Sequence, residues 1–389
     1  MSNRGLRGVM VIFFIETLCA SMAQAAGRLA GGYQHRAWIA ADGFVWTQGL
    51  NYIGQLGNDG IASMATPQRP IGLSGTIFVA AGSNHTLAIK SDGTLWSWGI
   101  NDLGQLGRDF QSIQILDALG LRAFSWYTIQ RQPKQVDLPP VRSAAAGLAH
   151  SLAVATDGTV WVWGSNDMGQ LGLGNLPAAF LPVQLKGIAG VDMVTAGDQF
   201  SLAVIQNGTV YGWGDNRAGQ LGEGSTLPHA TPTLVPGLPP IQEVTGGGDF
   251  SLAIDRSMRL WAWGGNESGQ LGDGTVLPRT QPFLVPGASN VTQVCAGRSF
   301  SLGLRQDGSL WGWGANDFGQ LGHGDTESSP IPKKIPGLPK IVEIGCGDAF
   351  SMALGEDGAL YVWGDNQNGQ LGLTNTLIWE SPVATDLEP

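Results

Sequence analysis

The stretch W-G-I-N-D-L-G-Q-L-G at residues 98–107 carries the pattern around which this chain is organised. The pattern W-G-x-N-x-x-G-Q-L-G recurs seven times, with Gln48 in place of the tryptophan in the first copy, and the glutamine of G-Q-L-G marks each copy. These glutamines are Gln55, Gln105, Gln170, Gln220, Gln270, Gln320 and Gln370. Their spacing is 50 residues except for one interval of 65. A fixed period of this length indicates a solenoid, a propeller or another repeat array.

Each unit contains four extended segments. In the fourth unit an alternating run over residues 200–205 is followed by Asn207-Gly208, and a second run covers residues 209–213. Asn-Gly or Asp-Gly between two such runs predicts a β-hairpin; only the fifth unit departs, with Ser257-Met258. A further run precedes each hairpin, and a proline-led segment precedes that run. Four short strands per unit predict an all-β, seven-bladed β-propeller with four antiparallel strands per blade, and no helical period competes with it.

The two ends of the chain predict how the ring closes. Counting back one period makes residues 28–30 the second strand of the first blade, with no first strand before it. Counting forward makes residues 382–387 a strand with no blade after it. We therefore expect the C-terminal strand to supply the missing strand of the first blade and to close the ring, because an open ring exposes sheet edges.

The first 25 residues have the layout of a signal peptide. Arg4 and Arg7 precede a mostly apolar run over residues 9–22, and Ala23-Gln24-Ala25 resembles a cleavage site. We expect a domain boundary there, with the propeller over residues 26–389 and the mature protein secreted, periplasmic or at the cell surface. The alternatives are an uncleaved membrane anchor or a mis-assigned start codon; after cleavage no membrane association is expected.

Composition limits the class of partner. The chain has 59 glycines, 13% charged residues and a formal net charge of −10. Abundant glycine with few charges is typical of short strands joined by tight turns. Surfaces that hold nucleic-acid phosphates are basic, so the negative charge argues against a nucleic-acid partner. We expect a monomer that binds another protein.

The single long interval contains an insertion of about fifteen residues within 108–138. It carries four aromatic residues, namely Phe110, Phe124, Trp126 and Tyr127. Long loops on a rigid scaffold often carry function. The alternative is a tolerated surface insertion.

The repeats resemble the regulator-of-chromosome-condensation family of seven-bladed propellers. The resemblance rests on G-x-x-H-[ST]-x-A followed by D-G-x-[LV]-[WY]-x-W-G-x-N-x-x-G-Q-L-G, which occurs over residues 82–88 and 92–107, and it covers nearly all of residues 27–389. It implies the propeller fold and leaves several functions open, because activity depends on sites added to a fold. The functions left open are guanine-nucleotide exchange on a small GTPase inside the cell and protein inhibition outside it. Ultraviolet-B reception is rejected because the tryptophans that it needs are missing.

No residue pattern supports catalysis, a cofactor or a metal. The histidine of the signature occurs as His35, His85 and His150, but phenylalanine takes its place in the later units, so we read it as a packing position. No G-x-S-x-G, H-E-x-x-H or C-x-x-C occurs. Cys295 and Cys346 fall on non-equivalent positions whose side chains should leave their strands in opposite directions, which favours two buried free thiols over a bridge.

The leading interpretation is an exported, non-enzymatic, protein-binding propeller that acts as a scaffold, adaptor or inhibitor. The alternative is an intracellular exchange-factor-like regulator of a small GTPase, and a propeller hydrolase is a more distant one. Strand direction places the G-x-x-[HF] turns and the W-G-x-N loops on one face, with the D-G turns opposite. The predicted partner-binding residues on that face are Phe110, Phe124, Trp126, Tyr127, Asp198, Asp215, Asp249, Arg298, Asp348 and Asp365. Alternatively, the acidic residues only keep the protein soluble.

Overall fold

The computed structural model describes residues 27–40, 42–108, 114–116, 122–124, 129–373 and 377–385. These residues form an all-β, seven-bladed propeller whose blades are four-stranded antiparallel sheets, which confirms the predicted fold class. Residues 1–26, and with them the predicted signal peptide, lie outside the described residues. In the part of the chain that is described, no helix is long and apolar enough to cross a membrane.

Within each blade the strands follow one another from the central channel outward. Blades 1 and 2 contain β1 (Leu29–Gly31), β2 (His35–Ile39), β3 (Val45–Gly49) and β4 (Met64–Gln68), then β5 (Thr76–Ala81), β6 (His85–Lys90), β7 (Leu95–Ile100) and β10 (Ile129–Gln135). A separate two-stranded sheet, β8 (Gln114–Leu116) and β9 (Arg122–Phe124), lies within the insertion. Blades 3 and 4 contain β11 (Val141–Ala146), β12 (His150–Ala155), β13 (Val160–Ser165) and β14 (Ala178–Gln184), then β15 (Val191–Ala196), β16 (Phe200–Ile205), β17 (Val210–Gly214) and β18 (His229–Leu234).

The last three blades repeat the same order. Blade 5 contains β19 (Ile241–Gly246), β20 (Phe250–Asp255), β21 (Arg259–Gly264) and β22 (Arg279–Ser289). Blade 6 contains β23 (Val291–Ala296), β24 (Phe300–Arg305), β25 (Leu310–Gly314) and β26 (Ser329–Lys334). Blade 7 contains β27 (Ile341–Cys346), β28 (Phe350–Gly355), β29 (Leu360–Asp365) and β30 (Ile378–Thr385).

The recurring polar residues of the repeat pattern stabilise their own loops. In all seven copies the asparagine Oδ1 accepts a hydrogen bond from the backbone N–H five residues later, as Asn216 does from Leu221 at 2.9 Å. The glutamine Oε1 accepts from the N–H two residues earlier, as Gln220 does from Ala218 at 2.9 Å. Each loop is therefore built from its own side chains, which satisfies buried backbone groups.

The second tryptophan of W-x-W-G joins neighbouring blades. Trp213 is fully buried, and its Nε1–H donates to the carbonyl of Gln170 in the preceding blade at 2.9 Å. Ser201 donates to the same carbonyl at 2.8 Å. The equivalent pair of donors recurs in blades 2, 3, 5, 6 and 7. These tryptophans therefore pack between neighbouring blades.

The boundary between blades 7 and 1 is built differently. Arg36 stands where the other blades have serine or threonine, Trp38 where five of the other six have alanine, and Gln48 where they have the second tryptophan. Trp38 packs into the core between blades 7 and 1. Arg36 donates to Gln48 Oε1 and, at 3.1 Å, to the Leu371 carbonyl. Burial lowers the pKa of Arg36 to about 9, and its Nη1 has no hydrogen-bond partner in the part of the chain described.

The predicted closure by a shared strand is wrong. The C-terminal strand β30 pairs with β29, for example Val383 with Val362, and is therefore the outer strand of blade 7. Each proline-led strand follows a W-x-W-G strand and pairs with it as the last strand of the same blade. The sequence analysis assigned it instead as the first strand of the next blade. The ring closes instead through packing of β1 on blade 7, with the Asp348 N–H donating to the Gly32 carbonyl at 3.1 Å.

The expectation of two free thiols is also wrong. Cys295 and Cys346 form a disulfide with their Cα atoms 5.8 Å apart. The two residues do point in opposite directions relative to their own blades. Because they belong to adjacent blades, those opposite directions bring the side chains together across the boundary.

Candidate functional site

One face of the ring, which we call the signature face, carries the G-x-x-[HF] turns and the W-G-x-N-x-x-G-Q-L-G loops. The two are tied together within each blade, as where the Asp215 N–H donates to the Gln199 carbonyl at 2.9 Å. The D-G turns join the other ends of the same strands, as Asn207-Gly208 joins β16 to β17. The predicted division into two faces is therefore present.

A closed belt of backbone hydrogen bonds surrounds the channel mouth on this face. Each bond joins the turn of one blade to the turn of the next, and the last returns to blade 1. The donor and acceptor pairs are Tyr33–Ser83, Ser83–Gly147, Leu148–Asp198, Asp198–Gly248, Gly248–Arg298, Arg298–Asp348 and Asp348–Gly32, at 3.0–3.3 Å. The belt fixes where the side chains of these turns leave the backbone, so the mouth is a preformed surface.

Three charged residues of the belt form a cluster. Arg298 Nε lies 3.9 Å from Asp198 Oδ2, and Arg298 Nη1 lies 4.0 Å from Asp348 Oδ1. Burial raises the pKa of Asp198 to about 6, against the lowering effect of Arg298 and with a further rise from Asp249. Burial likewise raises the pKa of Asp348 to about 6, again opposed by Arg298. These carboxylates are half-desolvated and only partly compensated, so an added cation would stabilise them.

A polar cavity of about 270 Å³ adjoins this cluster above blades 4 to 6. Asp198, Asp215, Asp249, Glu267 and Arg298 are among its lining residues. Burial, followed by the charge of Glu267, raises the pKa of Asp249. The carboxylate of Asp249 occupies the space beside Gly265, where a Cβ would come within 2.5 Å of its oxygens. The cavity thus gathers four carboxylates against two arginines, the second being Arg217.

The acidic residues predicted from the sequence are not equivalent. Asp215 is buried and paired with Arg217 at 2.8 Å. Asp365 is buried and accepts from the Gln367 N–H at 3.0 Å and from Gln370 Nε2 at 2.8 Å. Burial raises the pKa of Asp365. Both residues shape the face from within their loops, whereas Asp198, Asp249, Arg298 and Asp348 are open to it.

Around blades 1 to 3 the mouth is uncharged. Tyr33 and Leu148 hold the belt positions that Asp198, Arg298 and Asp348 hold across the ring, and about two-fifths of each side chain is exposed. With Ser83 they line a central cavity of about 300 Å³. The sequence prediction did not include Tyr33 and Leu148, which are neither charged nor tryptophan, although both are equivalent to Asp198 by repeat position. It also did not include Arg217 and Glu267, which follow the asparagine of their W-G-x-N loops.

The insertion leaves the ring between β7 and β10, on the signature face. Its hairpin pairs Gln114 with Phe124 and Leu116 with Arg122. Of the four aromatic residues predicted to bind a partner, Phe110, Trp126 and Tyr127 lie outside the described residues, and Phe124 ends β9. Their role stays a prediction.

The signature histidines are buried between blades. The Nε2 atoms of His35, His85 and His150 lie 3.0, 2.9 and 3.0 Å from hydroxyl oxygens of the next blade. Burial lowers their pKa values to about 4, 3 and 4, so all three are neutral at physiological pH. Within the described ranges no group of three or more His, Cys, Asp or Glu residues could hold a metal ion. The histidines therefore pack the ring, as the sequence predicted.

Models of two related protein families match most of the chain. The model of the RCC1-like domain matches residues 15–302. The model of the regulator of chromosome condensation (RCC1) repeat matches residues 307–354 and 357–386. Together they extend over the whole ring.

Individual relatives agree with the family match. Protein RCC2 homolog of Xenopus laevis is 41% identical over 58 residues, which are 14% of this chain and 11% of that protein. This match thus spans about a tenth of the length of that curated relative. Human WBSCR16 is 26% identical in sequence, with a TM-score of 0.76 over 88% of this chain and 94% of the other. Yeast RCC1 (Prp20), whose structure was solved with Kap60 bound, is 23% identical, with a TM-score of 0.77 over 97% and 90%.

The comparisons overturn the predicted location. Prp20p of Saccharomyces cerevisiae is 24% identical, with a TM-score of 0.75 over 92% of this chain and 87% of the other. That protein was characterised for its binding to Gsp1p and histones. Histones are the proteins on which chromatin DNA is wrapped, so Prp20p works inside the cell. The expectation of a secreted, periplasmic or cell-surface protein, drawn from residues 1–25, is therefore wrong.

Proposed function

The chain belongs to the RCC1 repeat family of propellers, and from this premise we propose that it is a non-enzymatic regulator that promotes release of guanine nucleotide from a small GTPase. The partner binds the signature face, with the charged cluster of Asp198, Arg298 and Asp348 at the centre of the contact. The observation that carries this proposal is the pair of half-desolvated carboxylates that share a single arginine at the channel mouth.

A preformed carboxylate cluster suits the chemistry of nucleotide release. Small GTPases hold the nucleotide phosphates with a P-loop lysine and Mg²⁺, both positively charged. Carboxylates brought against that region compete with the phosphates for the positive groups and repel the phosphates themselves. Asp198 and Asp348 are suited to this because both are partly buried and share one arginine, Arg298, so that burial raises the pKa of each carboxyl to about 6.

The uncharged side of the mouth would supply contact area rather than charge. Tyr33 and Leu148 are exposed on the signature face, from which the insertion also leaves. Interfaces commonly combine aromatic and apolar anchors with charges that steer encounter. A partner that presents a basic region next to an apolar one would fit both halves of the mouth.

The proposal is tested with a panel of small GTPases from the same source, each loaded with a fluorescent guanine nucleotide. Substoichiometric wild-type protein should accelerate release from one member at pH 7.5. The double variant Asp198→Asn/Asp348→Asn should lose most of that acceleration, and the matched variant Asp157→Asn/Asp307→Asn, with the same change of charge on the opposite face, should retain it.

The pH dependence gives a second readout. As the pH falls through about 6, Asp198 and Asp348 take up protons and the charge of the cluster changes from negative to positive, so acceleration should decline. The proposal fails if no GTPase in the panel responds, or if the two double variants behave alike.

A further inference from the structure

Two inner-strand positions face each other across the blade boundaries. At the boundary of blades 4 and 5 the Gly246 N–H donates to Thr195 Oγ1 at 3.3 Å. Cys295 and Cys346 hold the same two positions two blades further on, because each lies 100 residues later in the repeat (295 − 195 and 346 − 246). At the boundary of blades 6 and 7 a covalent bridge therefore replaces a weak polar contact.

The bridge lies on the turns that carry the charged cluster. Cys295 is followed after Ala296 and Gly297 by Arg298, and Cys346 is followed after Gly347 by Asp348. The Arg298 N–H donates to the Asp348 carbonyl at 3.0 Å, and their side chains approach within 4.0 Å. The disulfide thus links the two backbone segments that position this pair.

The bridge is also accessible to a small reagent. Both cysteines are half-buried rather than fully buried, and both line a cavity of about 220 Å³ in the central channel. Disulfides in reducing compartments are typically transient or redox-sensing rather than permanent. A bridge that opens to a channel can respond to the thiols of its surroundings.

We propose that Cys295 and Cys346 form a redox-controlled latch between blades 6 and 7 that sets the mobility of the Arg298 and Asp348 turns. A dithiol is the reductant: one of its thiolates attacks one cysteine sulfur, which breaks the Cys295–Cys346 bond, forms a mixed disulfide and releases the other cysteine as a thiolate. The second thiolate of the dithiol then attacks the mixed disulfide at the dithiol's own sulfur and releases the first cysteine. The dithiol leaves as its cyclic disulfide, and its two electrons and two protons end on the Cys295 and Cys346 thiols. Oxidation by a disulfide reverses each step.

The consequence for the GTPase rests on the proposed function. In the oxidised form the mouth is held rigid, and in the reduced form the two turns can move apart at one point of the belt. The oxidised form should therefore promote nucleotide release more strongly than the reduced form. Redox titration and hydrogen exchange both probe the latch without a partner, so the latch and the proposed function can fail separately.

The first test titrates the bridge in the full chain carrying Cys19→Ser, which removes the remaining cysteine. The native protein is equilibrated in buffers of varied reduced-to-oxidised dithiothreitol ratio, alkylated, and analysed by peptide mass spectrometry. We expect the linked 295/346 peptide to convert fully and reversibly to two alkylated peptides. The latch is excluded if the native protein never forms the bridge or never opens it across that range.

The second test compares amide hydrogen exchange in the oxidised chain, the reduced chain and Cys295→Thr/Cys346→Ala. This double variant uses Thr245 and Ala296, the residues at the same positions in other blades, so the fold is retained. We expect exchange in the 297–300 and 347–350 turns to be roughly tenfold faster without the bridge, while the 147–150 turn is unchanged. Equal exchange in the three samples overturns the latch. If exchange differs between the samples but the chain accelerates nucleotide release from no GTPase, only the proposed function is contradicted.

Discussion

Replacing Glu243 by glutamine should remove a pH-dependent cost to the stability of the ring. Glu243 is buried on β19, and its Oε1 accepts from the Val294 N–H of the next blade at 3.1 Å. Gln293, one repeat later, makes the same bond to the Ile344 N–H at 3.1 Å and also donates to the Ile344 carbonyl at 3.4 Å. A glutamine at 243 can therefore bind Val294 as Gln293 binds Ile344.

Burial raises the pKa of Glu243 to about 8, from 4.5 in the unfolded chain. Between these values the unfolded state loses its proton while the folded state keeps it, so folding becomes less favourable as the pH rises. Each pH unit costs about 1.4 kcal/mol, which amounts to about 3 kcal/mol between pH 5 and 7.5. For a ring of this size such a change corresponds to about 4 °C in melting temperature.

The assay is thermal unfolding of wild type and Glu243→Gln at pH 5, 6, 7 and 7.5. Near pH 5 the two should melt together, because both side chains are neutral, and the variant should gain progressively at higher pH. Other buried acids such as Asp198 titrate in both proteins and cancel in the difference. Parallel curves, or a gain that shrinks with rising pH, would show that Glu243 is not held protonated in the folded ring.

Three further changes test other parts of the ring. The triple variant Arg36→Ser/Trp38→Ala/Gln48→Trp rebuilds the boundary of blades 7 and 1 on the pattern of the others and should raise the unfolding free energy by about 1–3 kcal/mol, since it removes a buried charge. Gln48→Trp alone should lower the unfolding free energy, because the added ring overpacks against Trp38. Chemical denaturation that finds the single variant more stable than the triple variant would contradict this. Deleting residues 378–385 should cause aggregation in light scattering, because β29 becomes an unpaired edge, and a soluble product with unchanged melting would contradict the pairing. Deleting residues 110–127 should leave stability within about 1 kcal/mol while abolishing GTPase binding, and unchanged binding would remove the insertion from the site.

The sequence predicted the fold because its signals were local and repeated. The D-G turns, the alternating runs and the loop asparagines each act within one blade, so each could be recognised in isolation. The division into two faces followed from strand direction alone. The belt positions were also visible, since Asp198, Arg298 and Asp348 share one place in the repeat.

The errors arose where two blades meet, because a single repeat does not show its neighbours. The proline-led strand of each repeat could belong to the blade before it or to the blade after it, and the period alone is compatible with both. The pairing partner of β30 depended on that choice. The Cys295–Cys346 bridge depended on two strands from different sheets facing each other. The desolvation of Asp198 and Asp348, and the burial of Asp215 and Asp365, depended on loop packing that the residue types do not encode.

The most direct test of the central claim is the affinity of the wild-type chain for a small GTPase in its GDP-loaded and nucleotide-free states, measured by calorimetry. A protein that weakens nucleotide binding must itself bind more tightly when the nucleotide is absent, because coupling between two binding sites is reciprocal. We predict about tenfold tighter binding to the nucleotide-free form, equivalent to about 1.4 kcal/mol, and a smaller ratio for Asp198→Asn/Asp348→Asn. Equal affinity for the two states, in wild type and variant alike, would contradict it.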